Sequence, residues 1–251
     1  MNKNYKKIIN WLLKYSNNSN TNGFVVGVSG GIDSALTSTL CAMTGKKTIV
    51  VSMPIHQEQT QHSRSIKHIN WLCSKFSNVE QITLDLSNAY DIFFNLTNSS
   101  DLALANTRSR LRMVSLYLIA NTHNLLVAGT GNKVEDYGVG FFTKYGDGGV
   151  DISPIGDLLK SEVRQMAKEL QILDELVNAV ATDGLWGDNR SDEQQIGATY
   201  NELEWALKYY DKYGFNLENL SERQKEVLTI YVKRHNSNKH KLDLPPVCYL
   251  E

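Results

Sequence analysis

The turn Ser29-Gly30-Gly31-Ile32-Asp33-Ser34 packs two glycines, two hydroxyls and a carboxylate into six residues. It follows the apolar run Gly23-Phe24-Val25-Val26-Gly27-Val28 and precedes a stretch with helical spacing. Glycines let a backbone approach an anion closely, and a helix N-terminus offers free N–H groups at the positive end of its dipole. The turn therefore reads as a phosphate cradle running from Gly27 to Ser34. A plain strand-to-helix turn would need neither the paired glycines nor the flanking serines. No lysine follows the glycines, so this is not a Walker loop, and it lacks the Gly-x-Gly-x-x-Gly dinucleotide spacing. Asp33 in the first helical turn would stabilise the helix dipole in any protein. Facing a polyphosphate, however, a carboxylate needs a cation between, and Mg²⁺ is the usual one. The neighbouring cradle favours the metal.

A second set of reactive side chains lies further along. Gly129-Thr130-Gly131-Asn132-Lys133-Val134-Glu135 ends another apolar run, which would let Glu135 share a Mg²⁺ with Asp33. From Gly140 to Ile152 the chain mixes glycines with aromatic and charged residues, including Lys144, Asp147 and Asp151, and Lys160 follows shortly after. Such a loop suits a lid that orders over a ligand. Arg108, Arg110 and Arg112 are two residues apart, and on a helix those positions face different ways, so they cannot all serve one purpose. His56, His62 and His68 sit six apart, off any common helix face, and predict no metal site.

The elements that must position these groups follow from periodicity. Apolar runs at Gly23–Val28, Thr48–Met53, Gln81–Leu86 and Leu125–Ala128 read as buried strands. Helical spacing marks Ile32–Met43, Ser63–Phe76, Asp101–Thr122, Leu158–Leu170, Asp192–Tyr210 and Ser221–Arg234, with one further helix before the first strand. Alternating strands and helices predict an α/β fold: an open, doubly wound parallel sheet with helical additions at both ends, as a single domain over 1–251. Ligands of such sheets sit at the carboxyl ends of the strands, where both loops emerge.

Composition narrows the classes. Lys and Arg number 26 against 27 Asp and Glu, a net charge of −1, which speaks against nucleic acid as partner. An apolar share of 41% excludes wholesale disorder. Three scattered cysteines predict no disulfide framework and suit a reducing, cytoplasmic setting. No secretory or membrane-spanning run is apparent, so no membrane partner is expected.

The cradle matches the pyrophosphate loop of the N-type ATP pyrophosphatases, a Rossmann-like group that splits ATP into AMP and pyrophosphate. With Asn106-Thr107-Arg108-Ser109-Arg110-Leu111-Arg112-Met113, Gly129–Glu135, and above all Phe142-Thr143-Lys144-Tyr145-Gly146-Asp147-Gly148, the chain resembles the NAD synthetase family over most of its length. The resemblance implies that Gly27, Val28, Ser29, Gly30, Gly31, Ile32, Asp33 and Ser34 hold the ATP phosphates, that Thr130, Lys160 and Thr182 also contact ATP, and that Asp33 and Glu135 bind Mg²⁺. It assigns Arg110, Lys144, Asp151, His240 and Lys241 to deamido-NAD, and implies a homodimer whose interface helps form that site. Ser109 stands where alanine is usual, Ala181 where proline is usual, and Asp136 is a rival metal ligand beside Glu135. Ser52-Met53-Pro54 lacks the arginine that many members carry before the proline, which leaves one ATP contact missing or supplied elsewhere.

The implied reaction has two steps. A nicotinate carboxylate attacks the α-phosphorus of ATP, and ammonia then displaces AMP from the acyl-adenylate. Lys160, the cradle and the metal would neutralise charge, while Asp147 or Asp151 would take a proton from ammonium. The few residues before the cradle cannot form an amidase domain of roughly 100 residues, so free ammonia is the expected nitrogen donor. Rival readings are an ATP pyrophosphatase with another acceptor oxygen and a nucleotide sensor without chemistry. The pairing of Asp33 and Glu135 with Lys160 argues against the sensor.

Overall fold

A computed structural model of the protein describes residues 4–56, 59–96, 98–181 and 191–250. Four parallel strands stand in the order β3-β2-β1-β4, with β1 Gly23–Gly27, β2 Lys47–Ser52, β3 Val79–Thr83 and β4 Leu125–Val127. Val25 of β1 is level with Ile49 of β2 and Val127 of β4. Side chains alternate across a strand, so one apolar run feeds two cores. Phe24 and Val26 pack against Leu12 of α1 (Asn4–Asn18), Leu36 and Leu40 of α2 (Ile32–Ala42), and Met166 of α6 (Lys160–Glu169). Val50 joins this face through Ile69 and Leu72 of α3 (Gln59–Lys75). Val25, Ile49 and Val51 face the other way, onto Tyr90 of α4 (Ser87–Leu96) and Ile119 of α5 (Asp101–His123). Helices on both faces confirm the expected doubly wound α/β sheet.

After β3 the chain crosses back over β2 and β1 to place β4 on the far side of β1. The strand order therefore reverses between β1 and β4, where open α/β sheets open a crevice at their carboxyl edge. Beyond β4 come α7 (Asp174–Val177), α8 (Asp192–Ile196), α9 (Tyr200–Tyr213) and α10 (Glu222–Asn238). The last two build a separate apolar cluster around Leu203, Leu207, Leu228 and Tyr231.

Several elements depart from the sequence reading. The helix expected over Asp192–Tyr210 is two helices: Gly197 adopts a left-handed φ of 91° that closes α8, and Thr199 with Glu202 forms a capping box that opens α9. The third strand begins at Val79, earlier than expected, and only Val79 is buried, because β3 is the sheet edge and one side has no neighbour. Helix α4 was not expected, since its Phe93 and Phe94 are exposed and give no buried stripe. Within the stretch read as loop, Lys133–Val139 forms a π-helical turn capped by Asn132, whose Oδ1 accepts from Val134 N and Glu135 N. Such turns are rare and concentrate at functional sites.

Candidate active site

The crevice between β1 and β4 is a cleft of about 800 Å³. Its floor is the cradle. Ser34 Oγ donates to Gly31 O at 2.9 Å, lies 3.1 Å from Ser29 Oγ, and accepts from Ser29 N at 3.2 Å. Gly30 holds a φ of 87°, a region that only glycine enters cheaply. The turn is thus pinned by its own serines, which leaves the start of α2 open to the cleft.

Lys160, the first residue of α6, is only 2% exposed. A buried ammonium must be paired. Its Nζ donates to Asp33 Oδ2 at 2.6 Å and to Glu135 Oε1 at 2.8 Å. Burial alone would lower its pKa, but the two carboxylates outweigh that and raise it. Lys160 therefore stays charged. The same ammonium and the hydrogen bonds from Tyr200 and Asn132 overcome the upward push of burial on Glu135, and hold its pKa below the usual carboxylate value. Tyr200 OH lies 2.5 Å from Glu135 Oε1 and 3.1 Å from Asp192 Oδ2. Fully buried Asn132 donates to Asp33 Oδ1 at 3.1 Å while capping the turn that carries Glu135, so one side chain sets both acids. Ser161 fixes the start of α6 to α9 through Glu204, at 2.8 Å from its N–H and 2.7 Å from its hydroxyl.

Further acids crowd the same cleft. Burial, then Asp147, Glu135 and Asp33, push the pKa of Asp136 well up. Its carboxylate lies against Gly131, where a Cβ would stand 1.7 Å from Oδ2, so any side chain at 131 would have to push the Asp136 carboxylate aside. Asp147 Oδ1 accepts from Ser109 Oγ at 2.6 Å and Thr143 N at 3.0 Å, yet burial keeps its pKa raised. Ser109, where alanine is usual, thus has a hydrogen-bonding task. Lys241 reaches in from the C-terminal region and donates to Gly140 O and Phe142 O, both at 2.9 Å.

The structure brings together Gly27 to Ser34, Thr130, Glu135, Asp147, Lys160 and Lys241 around one cleft. It places Arg110, Lys144, Asp151 and His240 outside the lining. Lys144 Nζ donates to His240 O and Asp243 O at 2.9 Å, and Arg110 Nη2 to Lys144 O at 3.3 Å. The Asp151 carboxylate accepts from Val127 N at 2.8 Å and Tyr117 OH at 3.0 Å, fixing the chain against β4. Thr182 lies outside the described residues. Among the described residues no cluster of three or more His, Cys, Asp or Glu is arranged to hold a metal, and the spaced histidines do not meet. Sequence reasoning missed Asn132, Tyr200, Arg64, Arg164 and Arg234. An asparagine at a cap position was the one readable signal; Arg164 lies one turn after Lys160 on α6, and the others come from distant helices.

The NAD synthase family model matches residues 4–245. The chain is 34% identical to the NH(3)-dependent NAD(+) synthetase of Methanocaldococcus jannaschii, over 96% of this chain and 94% of that one. It is 35% identical to that of Alkaliphilus oremlandii, over 97% and 96%. Among solved structures, an NMN synthetase from Francisella tularensis superposes with a TM-score of 0.86 at 31% identity, over 99% of this chain and 98% of the other. An NH3-dependent NAD synthetase from Campylobacter jejuni, in complex with nitrate, gives 0.81 at 26% identity, over 99% and 100%. A match across nearly the whole length, on a fold with this cradle and these paired acids, means that the chain belongs to the NAD synthase family.

Proposed function

We propose that the protein amidates nicotinic acid adenine dinucleotide with ammonia and ATP, giving NAD, AMP and pyrophosphate through an acyl-adenylate, as one catalytic unit over 1–251. The observation that carries this reading is the meeting of Asp33 and Glu135, from separate strand ends, on one cationic point beside the cradle. Both oxygens touch a single ammonium, so a single divalent ion can touch both. Two hard carboxylate oxygens fit Mg²⁺, which takes few protein ligands and fills its shell with water and phosphate. When bound, Mg²⁺ would neutralise the phosphate oxygens.

The chain's own groups do the rest. Cradle N–H groups and the Lys160 ammonium hold the phosphates, so that the α-phosphorus faces the acid substrate. The carboxylate oxygen bonds to that phosphorus and pyrophosphate leaves. Ammonia then bonds to the acyl carbon and AMP leaves with the oxygen. Asp147, its pKa raised by burial and its carboxylate in the cleft lining, is better placed than Asp151 to take the ammonium proton.

Part of the acid-substrate site would come from a second copy. Arg110, Val114 and Leu118 are four residues apart on α5 and form one exposed stripe, with Leu118 66% exposed. Phe93 and Phe94 of α4 extend the exposed apolar surface, and a homodimer across it would bury the patch while bringing partner groups to Arg110. A second reading has nicotinic acid mononucleotide as the acid substrate. It is favoured by the whole-chain likeness to the Francisella NMN synthetase and by the position of Arg110, Lys144, Asp151 and His240 outside the cleft.

The test supplies ATP, Mg²⁺ and ammonia or glutamine with each acid substrate. Equal amounts of AMP, pyrophosphate and NAD from the dinucleotide and ammonia support the first reading. Turnover on the mononucleotide alone supports the second, and ADP as product or glutamine-driven turnover contradicts both.

A further inference from the structure

Arg64 of α3 lines the cleft, as do Val28 and Met53 at the ends of β1 and β2. Its neighbour Ser65 is fully buried and donates to Val28 O at 2.7 Å, so the helix is fixed to the strand end at this point. Yet the guanidinium has no hydrogen-bond or ion-pair partner among the described residues, and its buried Nε is unsatisfied. A guanidinium carries five N–H donors, and leaving one buried without an acceptor is costly. The contrast with Arg112 is direct, because Arg112 Nε spends its donor on Met53 O at 3.1 Å. One arginine at this strand end is used by the fold, and the other is left for something that enters the cleft.

The lining says what enters. The acids Asp33, Glu135, Asp136 and Asp147 interact with one another around Lys160 in one part of the cleft, surroundings for phosphates, cation and acyl transfer. On the β2 side stand Gly27, Val28, Met53 and Leu116, an apolar wall, with Arg64 as its unspent cation. Met53 Cε would lie 3.1 Å from a Cβ at Gly27, so a bare backbone and a flat thioether define that wall. A nucleotide with its phosphates on the cradle must send its base to one side. The acidic side repels electron-rich ring nitrogens, while the apolar side accepts a flat ring and offers donors at its edge.

We infer that Arg64 is a base-recognition residue: its guanidinium donates to ring nitrogens of the purine of the bound ATP. This rests on the reading of the cleft as an ATP site. It supplies from α3 the cation that the Ser52-Met53-Pro54 strand end does not carry. The contact is present equally in the bound nucleotide and in the transition state, so it governs KM for ATP and leaves kcat nearly unchanged.

The experiment measures binding of ATP, AMP and inorganic pyrophosphate by calorimetry to the wild type, Arg64→Met and Arg64→Lys, with thermal melting as the fold control. Methionine keeps the apolar stem, so the variant retains its packing. The expected result is about a tenfold weaker grip on ATP and AMP by Arg64→Met, with pyrophosphate unchanged. Lysine should restore little, because it lacks the planar donor pattern. Equal weakening for pyrophosphate would make Arg64 a phosphate contact and overturn the proposal, as would unchanged affinity for all three. A wild type that binds neither ATP nor AMP would instead overturn the ATP reading of the cleft, and the Arg64 assignment with it.

Discussion

Two charged regions of this molecule are built on opposite principles. Around Lys160 opposite charges meet: Asp33 and Glu135 share one ammonium, and Asn132 and Tyr200 fix the acids from behind. Around Lys144 the cations are tied to neutral carbonyl oxygens, and the Asp151 carboxylate is spent on Val127 N and Tyr117 OH. Groups paired and buried in this way are held in position before any ligand arrives. A cation held by carbonyls is positioned but not neutralised, and it keeps its charge for an anion brought to it. The inner region draws its protein groups from one chain; in the proposed homodimer the outer one is half a site beside an exposed apolar stripe.

Breaking the inner region should have the largest effect. Lys160→Ala leaves two buried carboxylates facing each other and removes a cation from the phosphate site. We expect kcat/KM to fall by about 10³-fold or more, with the loss mainly in kcat. A loss confined to KM for ATP would show that Lys160 only binds. Next in size, Leu118→Asp places a charge in the exposed stripe of α5. Light scattering should then report a monomer, and KM for the acid substrate should rise about tenfold while KM for ATP holds. An unchanged assembly would remove the reason for calling the outer region half a site.

The smallest effect sharpens the comparison from beneath the cradle. Buried His68 has Nε2 3.0 Å from Ser38 Oγ, and that hydroxyl donates to Ser34 O at 2.7 Å, so the imidazole must carry its proton on Nε2. Burial lowers its pKa from 6.5 to about 4. Between those values the unfolded chain binds a proton that the native chain refuses. Stability from this residue is therefore full above pH 6.5 and is lost as pH falls toward 4, by roughly 3 kcal/mol in all. Urea denaturation of His68→Gln should show a flatter acid limb over that window; identical slopes would mean that His68 does not carry it.

How far the sequence was readable follows the same division. The sheet was legible because Phe24-Val25-Val26 is apolar on both faces, and the cradle because its glycines and serines act within one turn. Glu135 was legible as a partner of Asp33 because both stand at strand ends. Tyr200 and Arg64 were not, because each belongs to a helix whose approach to the cleft depends on tertiary packing. The break at Gly197 was missed because apolar spacing runs through it, and only the left-handed φ shows where one helix stops. The outer assignments to Arg110, Lys144 and His240 came from resemblance, and a single chain holds them apart from the cleft.

In the proposed reaction the acids and Lys160 direct a carboxylate oxygen onto the α-phosphorus of ATP. Acid substrate labelled with ¹⁸O in its carboxylate tests it directly, by mass spectrometry of the products. One ¹⁸O is expected in AMP, none in pyrophosphate, and the remaining label in the amide. Label in pyrophosphate or in free phosphate, with AMP unlabelled, would contradict it.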